Sequence, residues 1–298
     1  MEFCNRKASM KIYLNGKFVN KEDAKVSVFD HGFLYGDGAF EGIRSYNGLV
    51  FRLKEHIDRL YETLHTLMID PKLTKAQMSQ AVVDTLKTNK LKDGYIRLIV
   101  SRGEGDLGLD PRKCFGRPNV IVIADKITLY PAELYKKGME IITVATVKNH
   151  PDALNPQLKS LNYLNNILGK IEAVNSGYNE AIMMDGNGYV AECTGDNVFM
   201  VKNGVLSTPD RGRLVGITAQ AIVDVAPKLK LKVFSGAITR HELYNAQECF
   251  LTGTAAELIP VVKIDGRTIG SGKPGAVTLK LLEAFKGLTK KDGVRYAV

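Results

Sequence analysis

The 298-residue sequence has no tryptophan, four cysteines and no long apolar run. Each scarcity excludes something. Cys4, Cys114, Cys193 and Cys249 lie far apart and form no CxxC pair. That argues against a structural zinc site and suits a reducing compartment. No apolar stretch is long enough to cross a membrane, and Met1 to Ser9 lack the hydrophobic core of a secretory signal. A strand pattern begins directly after Met10, so residues 1–9 read as a flexible extension or an upstream start. There is no internal repeat and no low-complexity segment. A cytoplasmic chain without a membrane partner is the expectation, and no metal site is expected.

Positive charge is plentiful. Lysine and arginine exceed aspartate and glutamate to give a net charge of +9. The lysines are scattered, however, and no nucleic-acid-binding motif or aromatic–basic ladder accompanies them. The balance reads as a lysine-rich solvated surface that also favours anionic small molecules. The 45% hydrophobic and 24% charged residues are those of a soluble globular protein with a real core.

Along the chain, Lys11 to Val19 alternates around Asn15-Gly16, a type I′ hairpin signal. Phe40 to Tyr46 predicts a strand, turned by Asn47-Gly48 into Leu49–Arg52. Ile57, Leu60, Leu64, Leu67 and Met68 then fall on one helical face. Thr74 predicts the N-cap of a second helix, with Met78, Val82 and Leu86 inward. Buried strands follow at Tyr95–Ser101 and Asn119–Ala124. The second half mixes strands (Met139–Val147, Ala181–Met184, Asn197–Lys202, Cys249–Thr252) with helices (Tyr163–Asn175, Ile217–Leu229, Ala276–Phe285). The expected class is α+β: a small domain at 10–124, a linker at 125–134 and a larger domain at 135–298. Gly103-Glu-Gly-Asp-Leu-Gly108 has dinucleotide-fingerprint spacing, but Leu109-Asp110-Pro111 blocks a helix there, which rejects a Rossmann reading.

Five features bear on chemistry. Lys159 lies among apolar and amide residues, where a lysine pKa is depressed and its amine can form a Schiff base with an aldehyde; a solvated lysine is the plainer alternative. Glu192 ends an apolar strand, where burial would require a cationic partner; an exposed strand-end glutamate is the alternative. Leu214 to Ile222 reads as a glycine turn at Gly216 opening a helix, so the N–H groups of Ile217 and Thr218 could bind an anion, unless this is a routine helix start. Gly253-Thr-Ala-Ala-Glu257 is a small-residue turn whose Thr254 hydroxyl and N–H groups could meet a phosphate or a carboxylate. Arg52 follows a buried strand and has the geometry for phosphate, or is a surface arginine. Pyridoxal 5'-phosphate (PLP) demands a lysine, an acid at its pyridine nitrogen and phosphate donors, all of which are here.

The run Tyr35-Gly-Asp-Gly-Ala-Phe-Glu-Gly-Ile-Arg44, then Phe51-Arg52, Glu55-His56, Arg59-Leu60, Lys159-Ser-Leu-Asn-Tyr163, Glu192, Gly216-Ile-Thr218 and Gly253-Thr-Ala-Ala-Glu257, resembles the fold-type IV PLP enzymes. These are two-domain proteins of the D-amino acid aminotransferase type. Within them the sequence is most similar to the branched-chain amino acid aminotransferases, from Met10 to about Phe285. The resemblance implies that Lys159 carries the cofactor and shuttles a proton, and that Glu192 pairs with the pyridine nitrogen. It implies that Tyr163 bonds the cofactor's phenolic oxygen, while Arg52, Gly216, Ile217, Thr218 and Thr254 hold its phosphate. Substrate carboxylate would meet Thr254, Ala255, Ala256 and Tyr95. Arg97 would receive the acidic side chain of glutamate. Tyr35, Phe40, Gly42 and Arg44 would line the side-chain pocket; strand alternation puts Phe40, Gly42 and Arg44 on one face, as it does Tyr95 and Arg97. The loop Gly105–Leu109 corresponds to one that reaches a neighbouring subunit, implying a homodimer or larger homo-oligomer. The implied reaction transfers the amino group of L-leucine, L-isoleucine or L-valine to 2-oxoglutarate. Apolar pockets separate such side chains by only about 1–3 kcal/mol per methylene, so all three should react. Ser160-Leu-Asn-Tyr163 and Gly36-Asp-Gly38 also resemble D-amino acid aminotransferases. (R)-amine transaminase and aminodeoxychorismate lyase are further alternatives on the fold, and Gly-Ile-Thr-Ala-Gln220 lacks the Arg-Asp that follows the threonine in many relatives.

Overall fold

A computed structural model describes residues 10–127 and 129–298; the expected extension at residues 1–9 lies outside them, as does Thr128. The chain forms two compact units. The first gathers the described residues through Ile127 with Lys159–Asn162 and Asp292–Val298, and the second holds the rest.

In the first unit, β1 (Lys11–Leu14) and β2 (Lys17–Asn20) join through Asn15 and Gly16, both at positive φ (51° and 90°). This is the backbone that an Asn-Gly hairpin turn requires. A short helix α1 (His31–Tyr35) precedes β3 (Gly38–Tyr46), which turns at Asn47-Gly48 into β4 (Leu49–Phe51). Helices α2 (Leu53–Thr66) and α3 (Lys75–Thr88) and strands β5 (Gly94–Ser101) and β6 (Asn119–Asp125) complete it. With the C-terminal strand Gly293–Arg295, the strands form one antiparallel sheet in the order C-terminal strand, β4, β3, β5, β6, β1, β2. One face is sealed by α2 and α3. Ile57, Leu60 and Leu64 of α2 and Met78, Val82 and Leu86 of α3 pack on Ile43, Ile96, Leu98 and Val122. Each such side chain stabilises by roughly 1.5–3 kcal/mol. Thr74 starts α3 through a reciprocal cap with Gln77.

The second unit carries α4 (Ala132–Lys137), β7 (Met139–Thr143), α5 (Leu164–Asn175), β8 (Ala181–Met184), β9 (Val190–Cys193), β10 (Asn197–Lys202) and β11 (Val205–Thr208). Then come α6 (Ile217–Val225), β12 (Lys232–Ser235), α7 (Arg240–Tyr244), β13 (Glu248–Gly253), β14 (Glu257–Ile264), β15 (Arg267–Thr268) and α8 (Ala276–Leu288). Its sheet runs β12, β11, β10, β13, β14, β7, β8, β9, with β15 beside β14. The pairs β11–β12, β14–β7 and β7–β8 are parallel.

Several expectations need correction. Met68 is not inward: α2 stops at Thr66, Met68 turns to φ 54° and is 87% exposed, and Ile69 takes the buried place. Strand β7 ends at Thr143, because the N–H groups of Ala145 and Thr146 go instead to the Glu172 carboxylate. The helix expected at 217–229 breaks at Val225 into a 3-10 turn holding Pro227, which has no N–H to donate. The expected linker 125–134 is shorter, since β6 runs to Asp125 and α4 begins at Ala132. Two segments expected in the larger domain belong to the first unit. Lys159–Asn162 lies along β3, where Phe40 N–H donates to the Lys159 carbonyl (2.9 Å) and Leu161 N–H to that of Gly38 (2.9 Å). The C-terminal strand pairs with β4. As expected, no helix opens after Gly108; Asp110 caps a three-residue 3-10 turn.

Candidate active site

The first unit assembles one group of the singled-out residues on β3 and β5. Antiparallel register sets Gly42 opposite Arg97 and Arg44 opposite Tyr95, so Phe40, Gly42, Arg44, Tyr95 and Arg97 share a face. Ala39, Glu41 and Ile43 point the other way and are fully buried. The Tyr95 hydroxyl lies directly over Gly42, where a Cβ would come within 2.3 Å of it. Only glycine admits that approach. Arg97 Nη2 donates to the Tyr95 hydroxyl (3.3 Å). The Arg97 guanidinium stands 4.5 Å from the Phe40 ring centroid, and the Lys159 Nζ 4.6 Å from the same centroid. One aromatic ring thus meets two cations, each worth about 0.5–2 kcal/mol in such a contact. Lys159 is half-buried, and its backbone is held by Phe40 and by the Thr63 hydroxyl (3.4 Å).

Behind this face lies a buried ion cluster of Glu41, His56 and Arg59, to which the sequence pattern assigns no role. Glu41 accepts from Arg59 Nε (2.7 Å) and Nη2 (2.8 Å) and from His56 Nδ1 (2.8 Å). Burial alone would raise the Glu41 carboxyl, but the charges and hydrogen bonds of Arg59 and His56 outweigh it and bring the pKa down to about 2. Burial holds the His56 ring below its ordinary value against the pull of Glu41; Arg59 and Lys159 push the same way as burial. The signal was available: His56 and Arg59 are three apart on one helix, and Glu41 is out of phase with Phe40.

Other first-unit candidates are placed differently. Tyr35 donates its hydroxyl to the Leu107 carbonyl, and its ring meets His31 edge-on. Leu109 is 77% exposed on the same loop. Leu109 is thus part of the loop, and Tyr35, from the end of α1, is tied to it. Arg44 turns its guanidinium over the Tyr46 ring (5.2 Å). Arg52 is buried, at φ 45°, with its N–H on the Asp292 carbonyl (3.2 Å) and Nε on the Asp292 carboxylate (2.8 Å). Asp292 carried no sequence signal, being 240 residues away.

In the second unit, Glu192 on β9 is 6% exposed. Its Oε1 meets the Lys148 ammonium at 2.7 Å. Its Oε2 accepts from the Leu214 N–H (2.9 Å) and Asn197 Nδ2 (3.3 Å). Glu192 is thus buried rather than an exposed strand end, and the cation it requires is supplied by Lys148, which lies in an aperiodic stretch without a sequence signal. Asn197 also donates to the Leu214 carbonyl (2.9 Å). A Cβ on Gly216 would lie 2.1 Å from Asn197 Oδ1, so Gly216, Asn197 and Glu192 pack as a set. Helix α6 opens at Ile217, with Thr218 buried and no side-chain cap at Gly216. Its leading N–H groups and dipole suit an anion.

Thr254, Ala255 and Ala256 form the β13–β14 turn, closed by Glu257 at φ 59°. Tyr135 donates to the Ala256 carbonyl (3.0 Å). Asp196 packs on Gly253, where a Cβ would be 1.9 Å from its Oδ1. Burial, then the Glu180 charge, push Asp196 up to about 7, and the Tyr130 hydroxyl reaches both carboxyls (3.2 and 3.3 Å). Tyr163 is half-buried at the N-cap of α5.

A family model described as Amino-transferase class IV matches residues 38–264. A Methanocaldococcus jannaschii protein, provisionally named a branched-chain-amino-acid aminotransferase, is 53% identical, covering 96% of this chain and 99% of its own length. The Escherichia coli branched-chain amino acid aminotransferase structure superposes with a TM-score of 0.92 at 35% identity, over 96% of each chain. A T.th. enzyme of the same name, solved with pyridoxamine 5'-phosphate, superposes with a TM-score of 0.91 at 36% identity, over 95% of each. The T.th. enzyme has also been solved with N-(5'-phosphopyridoxyl)-L-glutamate and with 4-methylvaleric acid.

Proposed function

Because this chain belongs to the class IV aminotransferase family, we propose that it transfers the α-amino group of L-leucine, L-isoleucine and L-valine to 2-oxoglutarate, with PLP as cofactor. The observation that carries this reading is the shared Phe40 ring. A lysine amine and a guanidinium stand 4.6 and 4.5 Å from one aromatic centroid. A reactive amine, an apolar surface and a cation are therefore adjacent. An aliphatic side chain can lie on the ring, and a glutamate-like side chain can reach the guanidinium. The ligands of the T.th. enzyme fit the same duality: 4-methylvaleric acid has leucine's carbon skeleton, and the other ligand contains glutamate.

The residues present fit the cofactor. The second unit offers a buried carboxylate whose oxygens are already oriented, and an uncapped helix start; the first offers a half-buried amine and a buried guanidinium. When bound, PLP supplies an electron sink that stabilises negative charge at the substrate Cα. Lys159 would hold the cofactor through its Nζ, and the same amine would carry the proton from the substrate Cα to the cofactor's C4′. Glu192 accepts a hydrogen bond from the protonated pyridine nitrogen. Arg52, the N–H groups of Ile217 and Thr218 after the Gly216 turn, and Thr254 bind phosphate. Tyr163 donates to the phenolic oxygen. Tyr95 and the Thr254-Ala255-Ala256 turn orient the substrate carboxylate, and Arg97 takes the distal carboxylate. Phe40, Gly42, Arg44 and Tyr35 shape the side-chain space. Leu107, Leu109 and Phe115 are 67%, 77% and 80% exposed, an apolar surface suited to a second copy in a cytoplasmic homodimer.

The test is the visible spectrum of purified protein, before and after L-leucine and in parallel after D-alanine, without an acceptor. Loss of the cofactor's absorption band with L-leucine alone is expected. Loss with D-alanine alone moves the function to a D-amino acid aminotransferase. No band even after added PLP defeats the reading.

A further inference from the structure

We infer that Lys148 is a positioning residue for Glu192, holding that carboxylate ionised and aimed whether or not a cofactor is present. The inference rests on the role proposed for Glu192 toward the pyridine nitrogen. The two side chains are 4% and 8% exposed and their charged atoms 2.7 Å apart. Lys148 is itself held at both ends. Its backbone N–H donates to the Met184 carbonyl (2.8 Å), and its Nζ donates to Asn166 Oδ1 (3.0 Å). Asn166 is oriented in turn by donating Nδ2 to the Thr194 carbonyl (2.8 Å). The carboxylate thus has its Oε1 set by Lys148 and its Oε2 by Leu214 and Asn197.

An isolated buried carboxyl takes up a proton rather than hold a bare charge. A protonated Glu192 would offer an O–H to the ring nitrogen instead of accepting its N–H, and the ring would lose its positive charge. Lys148 prevents this by Coulomb attraction and a charge-assisted hydrogen bond. Other charged groups act on the same carboxylate. Arg213 adds positive charge from the neighbouring loop, but its hydrogen bonds go to the carbonyls of Pro209 and Leu214. Asp196 interacts with Glu192 as a like charge, and Cys193 follows it in the strand with a thiol raised by burial. Among these neighbours Lys148 is the cation that touches the carboxylate.

The experiment measures pyridoxamine phosphate affinity by calorimetry for wild-type, Lys148→Arg and Lys148→Met protein between about pH 5.5 and about pH 8. Lys148→Arg should bind within about threefold of wild-type, because the charge and a donor remain. Lys148→Met should bind about tenfold weaker or worse at the acidic end, with the gap to wild-type narrowing as pH rises and Glu192 loses its proton. Comparison with wild-type at each pH cancels the titration of the ligand. A constant ratio across pH, or an unchanged affinity, overturns the inference and leaves Lys148 a stabilising ion pair only. Wild-type protein that binds no pyridoxamine phosphate brings down the role of Glu192 itself, and the inference with it. Should Lys148→Met fail to fold, Lys148→Gln, which keeps a polar side chain without the charge, is read in the same titration: weaker binding at the acidic end supports the inference and a wild-type profile overturns it.

Discussion

Between Phe40 and Tyr95, the Arg97 guanidinium is stacked on one ring and hydrogen-bonded to the hydroxyl of the other. A guanidinium has five donors, and the Tyr95 bond uses one. The ring contact and the hydrogen bond hold the fork in place, so little rotamer freedom is lost when a carboxylate arrives. The Arg97→Ala variant should therefore lower kcat/KM for glutamate and 2-oxoglutarate by about 10- to 100-fold, the worth of a charged hydrogen bond, and that for leucine much less. Steady-state kinetics on both substrates checks this. Equal losses would mean that Arg97 only props Phe40 and Tyr95. Arg97→Lys should not restore the acidic substrates, because a flexible point charge cannot stack and fork together.

At the scale of elements, the last strand of the first unit supports Arg52. Gly293, Val294 and Arg295 pair with Phe51, Val50 and Leu49, and a Cβ on Gly293 would lie 2.1 Å from the Val50 carbonyl oxygen. The Tyr296 hydroxyl bonds Ser45 Oγ and the Leu91 carbonyl, each at 2.7 Å. Ending the chain after Lys291 removes all of this together with both Asp292 contacts to Arg52. Such a protein should melt several degrees lower and bind PLP about tenfold more weakly, if each lost contact to a charged group is worth about 1.5 kcal/mol or more. Fluorescence titration with PLP reads the second effect; undiminished affinity would show that Arg52 keeps its place without the strand. Elements with local causes were legible in the sequence. The Asn15-Gly16 and Asn47-Gly48 turns and the Thr74 cap each lie within a few residues of what they determine. The faces of β3 and β5 were legible too, because alternation is a local rule. What escaped were long-range partners: Asp292 for Arg52, Lys148 for Glu192, and the docking of Lys159–Asn162 along β3. Charge and spacing within a window carry no trace of them.

At the scale of the whole molecule, each unit buries an acid, and the two respond to pH in opposite senses. Glu41 in the first unit is held down to about 2, below the ordinary 4.5. Its ionised form is favoured by folding, so its stabilisation is complete above about 4.5 and is lost as pH falls toward about 2. Asp196 in the second unit is held up to about 7 by burial and by Glu180, above the ordinary 3.8. Folding there favours the protonated form, so stability declines as pH rises from about 3.8 through about 7. Two variants separate the contributions in thermal denaturation. Glu41→Gln should melt lower at neutral pH, since Arg59 and His56 lose their partner. Its deficit relative to wild-type should shrink as pH falls from about 4.5 toward about 2. Asp196→Asn should gain on wild-type steadily between about pH 4 and about pH 7, because a neutral amide has no proton to lose. An Asp196→Asn difference that stays flat over that range would show that the Asp196 carboxyl does not change its protonation there. The steeper the observed gain, the more of this unit's stability at neutral pH is set aside to keep Asp196 against Gly253, directly beneath the turn proposed to bind phosphate and substrate carboxylate.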